Sequence, residues 1–210
     1  MSDTTAATPS RLLFLPGATG NPDFWAPVGR LLKHPAEQRY LDYPGIGPTP
    51  ADPAVRGIDD LVARTLAQMD RPCALVAQSM GGVVAVRAAL QRPALVTHLV
   101  LAVTSGGVDV AGLGGYDWRP DFLRNHPHGA RWLLAPQPDL GARLAELTMP
   151  VLLLWGDADP ISPPAVGRRL AQALPAATLH VIAGGGHDLA RARAEIVAPL
   201  IDAHLTPRRG

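Results

Sequence analysis

The chain has 210 residues, 47% of them hydrophobic, and a formal net charge of +1 from 19 basic and 18 acidic residues. That length suits one domain with a sizeable core, and the even balance excludes the basic stripe that a nucleic-acid partner requires. No apolar run approaches the roughly 18 residues of a membrane helix, the first ten residues show no leader pattern, and the lone Cys73 excludes a disulfide framework, so a cytoplasmic protein with no membrane partner is expected.

Residues 1–10 are expected to form a disordered segment ahead of a single domain over 11–210. The first apolar run, RLLFL at 11–15, is continuous rather than alternating, as in a strand buried on both faces. It leads into LPGATG, where Gly17 permits a tight turn. Asn21-Pro22, a cap followed by a proline at the first helical position, opens a helix over 22–33. RYLDY (39–43) reads as the next strand, and a stripe of Ile58, Leu61, Val62, Thr65, Leu66 and Met69 predicts a helix over 57–69. CALVA (73–77) is strand-like and makes Cys73 a buried, inert thiol. A helical pattern runs from 80 to 91, and HLVLAV (98–103) reads as the fourth strand. VLLLW (151–155), a helix over 163–174, TLHVI (178–182) and a helix over 189–204 follow. Arg208-Arg209 reads as a solvated tail. Strands alternating with helices predict a parallel sheet in an α/β domain, with no internal repeat and no linker that splits it.

Residues 105–148 break this rhythm. A 44-residue excursion without a strand-like run is too long for an ordinary loop, and a short lid with one or two helices is expected. It holds Tyr116, Trp118, Phe122 and Trp132, rings that either wall an apolar pocket or pack the excursion onto the body. Trp118 and Trp132 are taken as substrate-binding candidates.

The chemistry centres on AQSMGG (77–82). Ser79 sits at a strand-to-helix turn, the context of a nucleophile elbow, with Ala77 where the G-x-S-x-G pattern has its first glycine. A serine before a helix is often only an N-cap, but small residues after a buried strand favour a nucleophile here. Such a serine needs a base. Of seven histidines, His98 and His180 fall in strands, His34 and His204 on the ends or polar faces of helices, and His126 and His128 in the excursion. His187 remains, in GGGHDL at the sheet's expected C-terminal edge. The orienting acid is Asp157 or Asp159 in GDADPISP, and spacing alone does not choose between them. The backbone N–H groups of Met80 and Ala18 complete the set as oxyanion donors. No cofactor is called for, and the histidines of HPH (126–128) lack a third ligand for a metal.

At this point the chain resembles the α/β-hydrolase fold superfamily over most of residues 11–204. The landmarks are LFLPGATGNPDFW, DYPGIGPTP, LVAQSMGGVVA, LLLWGDADPISP and GGGHDL, in that order. The resemblance implies an α/β-hydrolase fold with a mostly parallel, reduced sheet of about six strands, helices on both faces and a short lid. It makes the last residue of G-x-x-D, here Asp159, the acid. It implies a serine hydrolase acting on a small-molecule carboxylic ester or thioester through Ser79, His187 and Asp159. The chain departs from the family in having Pro16-Gly17 where relatives often have His-Gly, and Ala77 in the elbow.

Three other readings compete. LPGATGNPDF superficially resembles a dinucleotide-binding loop, but Asp23 at the third glycine position would repel a pyrophosphate. The fold also serves non-hydrolytic ligand receptors. The same triad also serves lactonases and carbon–carbon bond hydrolases or lyases.

Overall fold

A computed structural model describes residues 7–206 apart from 111, 128 and 136, and six strands form one sheet among them. The strands are β1 (Arg11–Leu15), β2 (Glu37–Tyr40), β3 (Cys73–Gln78), β4 (Val96–Ala102), β5 (Val151–Gly156) and β6 (Ala177–Ile182). Every pairing is parallel, in the order β2-β1-β3-β4-β5-β6. The four central strands are buried at every residue, which explains why they are mostly apolar without alternation. The edge strands β2 and β6 each pair on one side only and are partly exposed.

The helices are α1 (Ala26–Leu31), α2 (Ile58–Ala67), α3 (Met80–Gln91), α4 (Arg119–Asn125), α5 (Pro164–Ala173), α6 (Leu189–Ala192) and α7 (Ala194–Leu205). They cover the two faces, with α1 packed on α6 and α7, and α2 packed on α3. Helix α3 turns Val83, Val84, Ala85, Val86, Ala88 and Ala89 into the core, so it is apolar nearly all round. The chain leaves β1 to one side for β2 and returns to the other side for β3. The strand order therefore reverses at β1, and a crevice opens beyond the C-terminal ends of β1 and β3.

Several expectations shift. The second strand lies at 37–40 instead of 39–43, because Glu37 to Tyr40 pair with Arg11 to Phe14. The Asn21 side chain caps as expected by accepting from the Asp23 N–H, yet residues 22–25 wind as a 3₁₀ turn before α1 begins. The final helix breaks at Arg193, whose backbone leaves the helical region (φ −125°, ψ 37°). Residues 1–6 of the expected disordered segment, and the Arg208-Arg209 tail, lie outside the described residues. Ser10 is held, since its N–H and hydroxyl both donate to the Pro72 carbonyl and its own carbonyl accepts from the Glu37 N–H.

His204 sits in the last turn of α7, at a helix end as expected. It turns inward from α7 and meets the buried His98 of β4 edge-on, with ring centroids 5.1 Å apart. Burial pushes both imidazoles down to about 4. Cys73 is buried and its thiol is pushed up to about 11.

The excursion over 105–148 carries α4 and two 3₁₀ turns, at Arg131–Leu134 and Gly141–Glu146. It is tied to the body by Tyr116 N–H to Pro160 O (2.6 Å) and closed on itself by Leu140 N–H to Gly107 O (2.8 Å). Among the described residues, no helix is long and apolar enough to cross a membrane.

Candidate active site

Ser79 sits between β3 and α3 with φ 51° and ψ −122°, a backbone conformation a non-glycine residue holds only when its surroundings force it. Its N–H donates to Ala102 O at 2.9 Å, extending the β3–β4 ladder past the end of the strand. Gly81 lets the first turn of α3 press against the end of β1. A Cβ there would be driven into the Pro16 carbonyl and would stand 2.8 Å from Leu15 O. The small residue is needed for that contact, whereas Ala77 is fully buried and accommodated.

His187 and Asp159 come from the other end of the sheet. In one direction, His187 Nε2 lies 3.0 Å from Ser79 Oγ; in the other, Nδ1 lies 2.8 Å from Asp159 Oδ2. The Asp159 side chain is fully buried, and its Oδ1 accepts from the Ile161 and Ser162 N–H groups at 2.8 and 3.1 Å. An acceptor-only carboxylate at Nδ1 requires the ring proton there, which leaves Nε2 free to accept from the serine hydroxyl. Asp157 is exposed and does something else. Its Oδ1 accepts from the Gly184 N–H at 2.7 Å, joining the acid turn to the histidine loop. The Ala158 N–H donates to Gly185 O at 3.0 Å in the same seam.

The expected oxyanion donors sit beside the serine. Met80 is the first residue of α3, so its N–H has no partner within the helix. Ala18 follows Gly17 in a turn closed by Gly20 N–H to Gly17 O at 3.0 Å. Gly17 is required less for the turn than for close approach, because a Cβ there would stand 3.2 Å from Ser79 Cβ and collide with the Gln78 amide. Among the described residues, neither N–H donates to a loop or turn carbonyl.

Gln78 is the residue the sequence reading missed. It is buried, and its Nε2 donates to the His187 carbonyl at 3.1 Å. One side chain thus lies between the Ser79 turn, the Gly17 turn and the His187 loop. A polar residue ending an otherwise apolar buried strand was the available signal.

Ser79, Met80 and His187 open into a cleft of about 700 Å³. Trp118 and Trp132 both line it, while Phe122 is buried against Trp118 at 5.7 Å between ring centroids. The two uses foreseen for these aromatics are therefore divided among different rings. Tyr116 also lines the cleft but is half exposed. His126 packs against Phe122 with tilted rings, 4.9 Å between centroids, and His128 lies outside the described residues. Among the described residues, no three His, Cys, Asp or Glu side chains are grouped so as to hold a metal ion.

Comparisons with known proteins bear on the family and the fold. The model of the alpha/beta hydrolase family matches residues 12–200. The chain is 30% identical to a poly(3-hydroxyalkanoate) depolymerase of Ectopseudomonas oleovorans, over 94% of this chain and 85% of that protein. A shorter match, 44% identical over 50 residues, joins it to 2-hydroxy-6-oxononadienedioate/2-hydroxy-6-oxononatrienedioate hydrolase 2 of Pseudomonas putida. That match spans 24% of this chain and only 18% of the relative. Among solved structures, a thermophilic esterase from Thermogutta terrifontis superposes with a TM-score of 0.75 at 21% identity, covering 94% of this chain and 90% of the esterase.

Proposed function

We propose that this chain, which belongs to the alpha/beta hydrolase family, cleaves a carboxylic ester or thioester of a small molecule through an acyl-enzyme on Ser79. The observation that carries the reading is the hydrogen-bonded series Ser79 Oγ, His187, Asp159, assembled from three loops far apart in sequence.

Ser79 Oγ attacks the carbonyl carbon as His187 Nε2 takes its proton. Asp159, held by two backbone N–H groups, keeps the imidazole in the required tautomer and stabilises its protonated form. The N–H groups of Met80 and Ala18 receive the developing oxyanion, where loss of one donor costs about 3 kcal/mol. His187 returns the proton to the leaving alcohol or thiol. Water, activated by the same imidazole, then releases the acid, and no cofactor enters any step. The match to the Pseudomonas putida dioate hydrolase covers too little of either chain to bring a carbon–carbon cleavage with it.

Hydrolysis of p-nitrophenyl butanoate tests the reading. Ser79→Ala should abolish turnover with thermal unfolding unchanged within a few degrees, and a variant that retained wild-type turnover would exclude Ser79 as nucleophile.

A further inference from the structure

The cleft is sorted by depth. Its buried lining is mostly apolar, with Val83, Val103, Val108 and Leu133 beside the one buried hydroxyl of Ser162 among the described residues. At its outer end the lining becomes charged, with the exposed residues Asp109, Asp117, Arg119 and Asp139. Among the described lining residues this mouth holds three carboxylates and one guanidinium. The single cation is already engaged. Arg119 Nη1 donates to Asp117 Oδ1 at 3.0 Å, and the guanidinium lies over the Trp118 ring at 5.7 Å. The Arg119 backbone N–H and guanidinium hold the Asp117 carboxyl below its usual range, so it is ionised at neutral pH. Asp139 Oδ1 accepts the Gly141 N–H at 2.8 Å.

We infer that this mouth selects substrates by charge: the site takes uncharged or cationic esters with an apolar acyl part and turns away acyl groups that end in a carboxylate. The inference rests on the hydrolase reading for its chemistry but on the mouth alone for its ranking. An approaching anion meets an excess of negative charge at a rim with no uncommitted cation among the described lining residues, and then a mostly apolar wall that solvates it poorly. A neutral chain meets neither penalty, and a cation gains from the carboxylates and from the indole faces of Trp118 and Trp132.

The test compares p-nitrophenyl pentanoate with mono-p-nitrophenyl glutarate, an ester of matched chain length carrying one negative charge. Rates are measured at about 20 mM and about 500 mM salt, with spontaneous release subtracted. At low salt kcat/KM should be at least about tenfold lower for the glutarate, and the gap should narrow severalfold at high salt, because exposed charges are screened. The double substitution Asp109→Asn, Asp139→Asn should narrow it at low salt. Equal rates, a preference for the glutarate, or a gap indifferent to both salt and the double substitution would overturn the inference. Binding of methyl pentanoate and monomethyl glutarate to the Ser79→Ala protein, followed by tryptophan fluorescence, reads the same ranking without turnover. If the wild type hydrolyses neither ester while the binding ranking holds, the hydrolase reading fails and the charge selection stands.

Discussion

The paired imidazoles of His98 and His204 make the protein sensitive to mild acid, and the size of the effect follows from their burial. An exposed histidine titrates near 6.5, whereas burial lowers both of these to about 4, each further disfavoured by a neighbouring imidazole, His34 for His98 and His98 for His204. Between those limits the unfolded chain binds protons that the folded chain refuses, so stability is full above 6.5 and falls as the pH drops toward 4. For His98, 3% exposed, the loss between pH 7 and pH 5 works out at about 2 kcal/mol. His204 adds up to the same again. Against a total of about 5–15 kcal/mol, that is a large fraction lost before ordinary carboxylates begin to titrate. Urea unfolding at closely spaced pH values between 7 and 5 measures it, and the double variant His98→Asn, His204→Gln should flatten the slope whatever its absolute stability. Equal slopes in wild type and double variant would refute the reasoning.

Other predictions concern the site. Asp159→Asn should lower kcat about 10³-fold or more, by removing the acceptor that fixes the His187 tautomer, whereas Asp157→Asn, whose amide oxygen still accepts the Gly184 N–H, should stay within about threefold; steady-state kinetics on one ester reads both. Gln78→Met removes the donor to the His187 carbonyl while keeping the chain length. It should lower kcat about tenfold, with KM changed less than twofold, and Gln78→Glu, which cannot donate, should not rescue it. Gly81→Ala drives a methyl group into the Pro16 carbonyl and should cost about 1–3 kcal/mol in urea unfolding, with the denaturant slope unchanged.

Much of this architecture was legible because burial dictates residue type. The central strands are covered on both faces, so RLLFL, CALVA and VLLLW read as continuous apolar runs and keep their predicted starts. Where one side of the strand is open the signal weakens. Exposed and half-buried residues alternate along β2, with Glu37 and Arg39 at the surface, which explains why its frame was misplaced by two residues. The hydrogen-bonded positions Ser79, His187 and Asp159 were legible because each sits near a strand end next to a turn, but Asp159 and Asp157 became distinguishable only through the family pattern. Their difference is tertiary, one carboxylate buried against His187 and the other exposed against Gly184. The inward turn of His204 was illegible for the same reason, since what faces it is a residue of β4 about a hundred positions away in the chain. Gln78 escaped notice because its partner is a backbone carbonyl, which leaves no mark on residue type at the other end.

The most direct measurement of the central claim is intact-protein mass after exposure to a fluorophosphonate, followed by peptide mapping. The triad geometry predicts one adduct per chain, on Ser79, lost in both Ser79→Ala and His187→Ala. A folded protein that takes no adduct, or takes it on another residue, would contradict the assignment of Ser79 as an activated nucleophile.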